Sequence, residues 1–153
     1  MHRSPLKGSS NVTRNLADAD WPAVHEIDKG ALGVSRRSLI QSLARHSRRA
    51  LVWPSQGRAA GWGLLRAGTH ADYLGPVVCG EEDGALALVH ELLVSAENRL
   101  VFWDVPDKNR AAASAVRQLG FAPLRRLTRM RLGPPITKSD PQAQFAIADP
   151  SAG

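Results

Sequence analysis

Apolar residues recur along this chain in two rhythms. At Trp21, Val24 and Ile27 they return every three residues, the repeat of a helix with one buried face. Asp18 or Asp20 can cap the start of that helix, which the pattern places over residues 21–29. Leu39, Ile40 and Leu43 mark a second helix, capped by Ser35 and running to about residue 44. Leu86, Val89, Leu92 and Leu93 mark a third over residues 84–96. Between them lie short apolar runs at residues 12–16, 51–53, 60–66 and 73–79, separated by turn-forming PSQGR and AGTH. These predict strands, three of them in an antiparallel meander.

The richest stretch is FWDVPDKNRAAASAVRQLGFAPLRRLTRM, residues 102–130. An apolar strand over 100–105 ends near Asp104. A turn with Pro106 leads to an Ala-rich helix that Asp107 or Asn109 can cap. Gly120 suits the left-handed position just past that helix, and Phe121 can then pack back on Val116. The pattern over 124–132 predicts a last strand. The order is a strand, two helices, three strands, a helix, a strand, a helix and a final strand or strand pair. That is an α+β layering over a mixed sheet, less regular than a doubly wound fold.

Length and composition narrow this further. A chain of 153 residues with 43% hydrophobic content suits one core. Residues 1–11 read as a flexible start, 12–133 as the domain, and 134–153, rich in Pro, Ser, Asp and Ala, as a disordered tail. No apolar run is long enough for a membrane span, and the start lacks the apolar core of a secretory signal, so the expected location is cytoplasmic. The single cysteine, Cys79, excludes an internal disulfide and cysteine-based metal clusters. The five histidines lack metal-ligand spacing, so no metal site is expected. The net charge of +6 favours anionic partners by long-range attraction. Arg45, Arg48 and Arg49, and Arg125, Arg126, Arg129 and Arg131, are the basic groups, but few aromatics interleave with them. The pattern argues against nucleic-acid binding.

The strand, Asn109, helix, Leu119-Gly120-Phe121, strand sequence resembles the C-terminal half of the GNAT N-acetyltransferase superfamily. Within it, the chain is most similar to the second domain of bacterial tandem GNAT proteins. The matching pieces are Asp28, Gly33-Val34-Ser35-Arg36, Gly61-Trp62-Gly63-Leu64-Leu65-Arg66, Tyr73-Leu74-Gly75-Pro76, Asp104-Val105-Pro106 with Asn109, Leu119-Gly120-Phe121 and Thr128-Arg129-Met130. The resemblance covers roughly residues 12–133. It implies a GNAT fold, with a mixed, mostly antiparallel sheet of six or seven strands and about four helices. It implies acetyl transfer from acetyl-coenzyme A to an amine, carried by a small molecule or a peptide. It also implies pairing with a second copy or a partner GNAT domain.

In that chemistry two strands, here ending at Cys79 and Asp104, splay apart. Exposed backbone groups hold the cofactor's pantetheine arm, and the amine attacks the thioester directly. The resemblance places Val78, Cys79, Gly84, Ala85 and Asn109 at the cofactor, Asp104 at the catalytic centre and Arg36, or Arg37 in the neighbouring register, at the substrate; Arg66 and Arg129, on different predicted strands, can bind a substrate carboxylate or phosphate bidentately. Two positions depart from the family's pattern. The phosphate-binding loop, usually Gln/Arg-x-x-Gly-x-Gly/Ala, here reads Cys79-Gly80-Glu81-Glu82-Asp83-Gly84-Ala85. Glycines and helix N–H groups would cradle a pyrophosphate, but three carboxylates stand where the anion would sit. The helical tyrosine that serves many members as general acid is replaced by Val116. The expectation is therefore weak cofactor binding, with a degenerate domain that binds a ligand or a partner as the alternative to an enzyme.

Overall fold

The computed structural model describes residues 12–134 and 138–150. The expected flexible start lies outside them. In chain order the elements are β1 (Arg14–Asn15), α1 (Trp21–Leu32), α2 (Arg37–Arg45), β2 (Ser47–Ser55), β3 (Arg58–Arg66), β4 (Asp72–Cys79), α3 (Glu82–Ser95), β5 (Val101–Trp103), α4 (Arg110–Gln118) and β6 (Gln144–Ala146). They form one six-stranded mixed sheet in the order β1-β2-β3-β4-β5, with β6 also on β4. Every pairing is antiparallel except β4 with β5. This is the α+β fold, with four helices and a six-stranded sheet, that the sequence implies.

The sheet is covered on both faces, which is why its central strands read as apolar runs rather than alternating ones. Leu51, Trp53, Leu65, Leu74, Val77 and Cys79 join Ala85, Leu88, Val89 and Leu92 of α3 in one core. Val52, Trp62, Leu64 and Val78 join Val24, Leu32 and Ile40 from α1 and α2 in the other. Neighbouring residues such as Val77 and Val78 serve opposite cores because strand side chains alternate.

Local signals set the element ends. The Asn109 side chain accepts a hydrogen bond from Ala112 N at 2.9 Å, so Asn109 rather than Asp107 caps α4. Gly120 has φ +81°. Phe121 N donates to Val116 O and Gly120 N to Arg117 O, both at 3.1 Å. That is the double bond pattern of a Schellman stop. The Phe121 ring meets Trp103 edge-on at 5.4 Å.

Two expectations fail, in opposite directions. Residues 122–132 form no strand; they have no regular structure and are exposed throughout, with Leu124 73% and Met130 88% accessible. Arginine on both parities explains this. Arg126 shares a face with Leu124, Thr128 and Met130, and Arg125 and Arg129 share one with Leu127, so either face would bury unpaired charge. Within the stretch read as a disordered tail, residues 141–148 instead return to the core. A 3-10 turn at Pro141–Ala143 leads into β6, where Phe145 is 2% exposed and Ala148 is fully buried.

Candidate functional site

The site is built on the parting of β4 and β5. The two strands run in parallel register where Asp72, Tyr73 and Leu74 face Val101, Phe102 and Trp103. Asp72 pins this end: its buried carboxylate lies 2.9 Å from Arg48 Nε and 3.0 Å from Arg99 Nε. Beyond Leu74 the pairing stops. Gly75 takes φ +141°, a conformation side chains disfavour, and Pro76 follows. Past this point the outer edge of β4 diverges from β5, leaving a groove between them.

β6 occupies that groove. Ala146 pairs with Val77 and Gln144 with Val78, antiparallel. On the other side, Ile147 N donates to Asp104 O at 3.1 Å, and the Trp103 indole donates to Phe145 O at 2.8 Å. Asn109 Nδ2 donates to Gln142 O and Gln144 O at 2.9 Å each. The Gln144 side-chain amide reaches Ala31 O at 2.8 Å, and Arg66 donates to Ala148 O. The carbonyl of Ile147 packs against Gly75, where a side chain would collide with it. The segment is thus tied to β4, β5, α1 and the start of α4 together.

The residues expected at a cofactor take these places. Val78 points away into the second core, and its strand edge pairs with Gln144. Cys79 is fully buried, its thiol 3.8 Å from Ala60 O, and burial pushes that thiol up to about 11, so it is held as an unreactive thiol. Gly84 is buried because Trp53 lies where its side chain would go; it serves packing rather than an open cradle. Ala85 is buried and its N–H already bonds Glu81 O at 3.0 Å. Glu81, Glu82 and Asp83 are exposed at the start of α3, where they complement the helix dipole and oppose a second anion. Asn109 is fully buried and both caps α4 and clamps the C-terminal segment.

The substrate set does not converge. Arg36 forms a bidentate pair with the buried Asp28, both contacts 2.9 Å, which fastens the end of α1 to the start of α2. Arg66 donates to Gly75 O at 2.9 Å and lies 5.5 Å from the Tyr73 ring centre. Burial lowers its pKa from the usual arginine value, while Asp149, Tyr73 and Asp104 work against that shift. Arg129 is exposed in the irregular 122–132 segment. Asp104 is half-buried just past the end of β5, and its carbonyl accepts a hydrogen bond from Ile147 N.

The groove as a shape fits an extended arm with backbone-like donors and acceptors, for β6 is such an arm. The α3 start does not fit a diphosphate, because carboxylates surround it. Gln144, Phe145 and Trp103 join the site with no local motif to mark them for it. The one signal for them was the apolar Phe145–Ile147 patch inside an otherwise polar tail. Among the described residues no cluster of three or more His, Cys, Asp or Glu is placed to hold a metal, and no helix is long and apolar enough to cross a membrane.

Residues 24–146 match the family described as "Acetyltransferase (GNAT) domain", a match that runs through β6. Solved structures share the fold. A putative acetyltransferase from Pyrococcus horikoshii superposes with a TM-score of 0.74 at 21% identity, covering 96% of this chain and 48% of that one. This chain therefore spans about half the length of that protein. A Thermus thermophilus protein gives 0.60 at 14% identity over 78% of this chain and 95% of that one. An aminoglycoside antibiotic 6′-N-acetyltransferase from Acinetobacter haemolyticus gives 0.56 at 14% identity over 80% and 99%. No curated protein matches the sequence significantly.

Proposed function

Because the chain belongs to the GNAT acetyltransferase domain family, we propose that its groove serves acyl-coenzyme A–dependent acetyl transfer to an amine. The observation that supports this most is the parting of β4 and β5 beyond Gly75, which presents the edge of β4 to an extended occupant. When bound there, the cofactor supplies an activated acetyl thioester. The chain's own part is to align that arm along Val77 and Val78 and to hold the amine at the mouth beside Asp104. Alignment of this kind lowers a barrier without a large catalytic cast, so Val116 in place of a tyrosine is compatible with it. Asp104 would orient the amine or take its proton. The acceptor class is a small-molecule or peptide amine, the compartment the cytoplasm, and the partner a second copy or another GNAT domain.

A second reading has its own support. β6 fills the groove, and Glu81, Glu82 and Asp83 disfavour the diphosphate. Both features suit a non-catalytic GNAT domain that binds a ligand or a partner domain. Calorimetric titration with acetyl-coenzyme A separates the two. With the acidic loop opposing the diphosphate, binding is expected on the order of 0.1 mM or weaker, about −5.5 kcal/mol at most, tightened by replacing Glu81 and Glu82 with Gln; micromolar binding by the unmodified protein favours the acetyl-transfer reading. No binding at millimolar cofactor, with or without those substitutions, would leave the non-catalytic reading.

A further inference from the structure

We infer that the strand Gln144–Ala146 is a resident occupant of the β4–β5 groove, which acyl-coenzyme A must displace in order to bind. The inference rests on the acetyl-transfer reading above and concerns the control of that same groove. Three observations carry it.

The first is position. The β4 backbone groups beyond Gly75 are the ones an extended arm would use, and Gln144 and Ala146 already pair there, opposite Val78 and Val77. Two partners cannot share one strand edge. The second is mimicry. The segment lies extended in the cleft and bonds both walls, to β4 by its ladder and to Asp104 O by Ile147 N. The third is fastening by side chains of other elements. The Asn109 amide holds two carbonyls, those of Gln142 and Gln144, and the Trp103 indole holds a third, that of Phe145. Arg66 bridges Gly75 O on β4 to Ala148 O on the segment.

Displacement sets a cost on cofactor binding. If the groove is open in only a fraction of molecules, the apparent dissociation constant rises by the inverse of that fraction. Loosening the strand raises the fraction and tightens binding with no new contact to the ligand. Phe145→Ala loosens it most directly, because Phe145 is the segment's one large buried apolar side chain, at 2% exposure.

The test combines calorimetry with hydrogen exchange on the full chain, with acetyl-coenzyme A as probe. The expected results are two. Phe145→Ala binds at least about tenfold more tightly than the unmodified protein, in proportion to the larger open fraction. In the unmodified protein, saturating cofactor accelerates amide exchange across residues 144–147. Equal affinity in both proteins, with exchange at 144–147 unchanged or slowed, would overturn the inference while leaving acetyl transfer standing. No binding by either protein, both folded by circular dichroism, would overturn acetyl transfer and the displacement with it. Should Phe145→Ala fail to fold, Gln144→Ala removes only the amide bond to Ala31 O, and the exchange measurement on the unmodified protein decides alone.

Discussion

Residues 122–132 and residues 140–148 exchange the places their sequences suggest. The first stretch alternates apolar and polar residues and ends exposed and irregular. The second opens on Asp140-Pro141-Gln142, shows no strand alternation at its start, and ends in the core on the edge of β4. The difference shows that a strand is decided by the edge it finds as much as by its own pattern. Leu124, Leu127 and Met130 have no face free of arginine. Phe145, Ala146 and Ala148 are small or apolar enough to enter a closed groove, and Gln144 carries the one polar side chain there with a partner waiting at Ala31 O.

The contrast yields its largest effect on truncating the two apolar anchors. Phe145→Ala should lower the unfolding free energy by about 3–5 kcal/mol, the range for deleting a buried aromatic side chain. Met130→Ala, at an exposed position, should stay within about 0.5 kcal/mol. Urea melts of both variants measure the gap. Equal small losses would mean that β6 adds no stability to the domain.

Asn109→Ala comes next. It removes the α4 cap and leaves the Gln142 and Gln144 carbonyls without their donor. The cap alone is worth about 1 kcal/mol, and the unpaired buried Gln144 carbonyl adds to it, for about 2–3 kcal/mol in all. A loss of only 1 kcal/mol would assign Asn109 to the helix and not to the C-terminal segment.

Much of the fold was legible because its signals are local. Asn109, Gly120 and Phe121 cap and stop α4 as their types suggest, and Gly33 at φ +81° closes α1 in the same way. Helix faces such as Val89 and Leu92 are one turn apart and announce themselves. The site was less legible. Arg66 and Ala148 meet across 82 positions, and Asn109 and Gln144 across 35; nothing local marks such pairs. Asn109 was singled out for the ligand because of its place after the splayed strand. Its partner there turns out to be the chain's own backbone. The carboxylates at 81–83, by contrast, were readable directly and stand exposed at the α3 start as expected.

A smaller effect belongs to the opposite face. His25 is buried against Trp21, 5.4 Å between rings, with Gln41 Nε2 at 3.2 Å. Burial, with help from the Arg37 charge, lowers its pKa below 6.5, against the raising pull of Asp28 and Glu26. The unfolded chain then takes up a proton before the folded one does. The stability this contributes is complete above pH 6.5 and is lost as pH falls through the lower folded value. His25→Gln should flatten that step in melts between pH 7.5 and 5, while leaving any difference between the two C-terminal regions untouched.

Native-state hydrogen exchange on the unliganded, unmodified protein compares the two regions most directly. The amides of Ala146 and Ile147 should exchange slowly, with opening free energies near that of the sheet, while those of residues 124–132 should exchange at the rate of unstructured chain. Fast exchange at Ala146 and Ile147, equal to that at 124–132, would contradict the account, because the groove between β4 and β5 would then stand open.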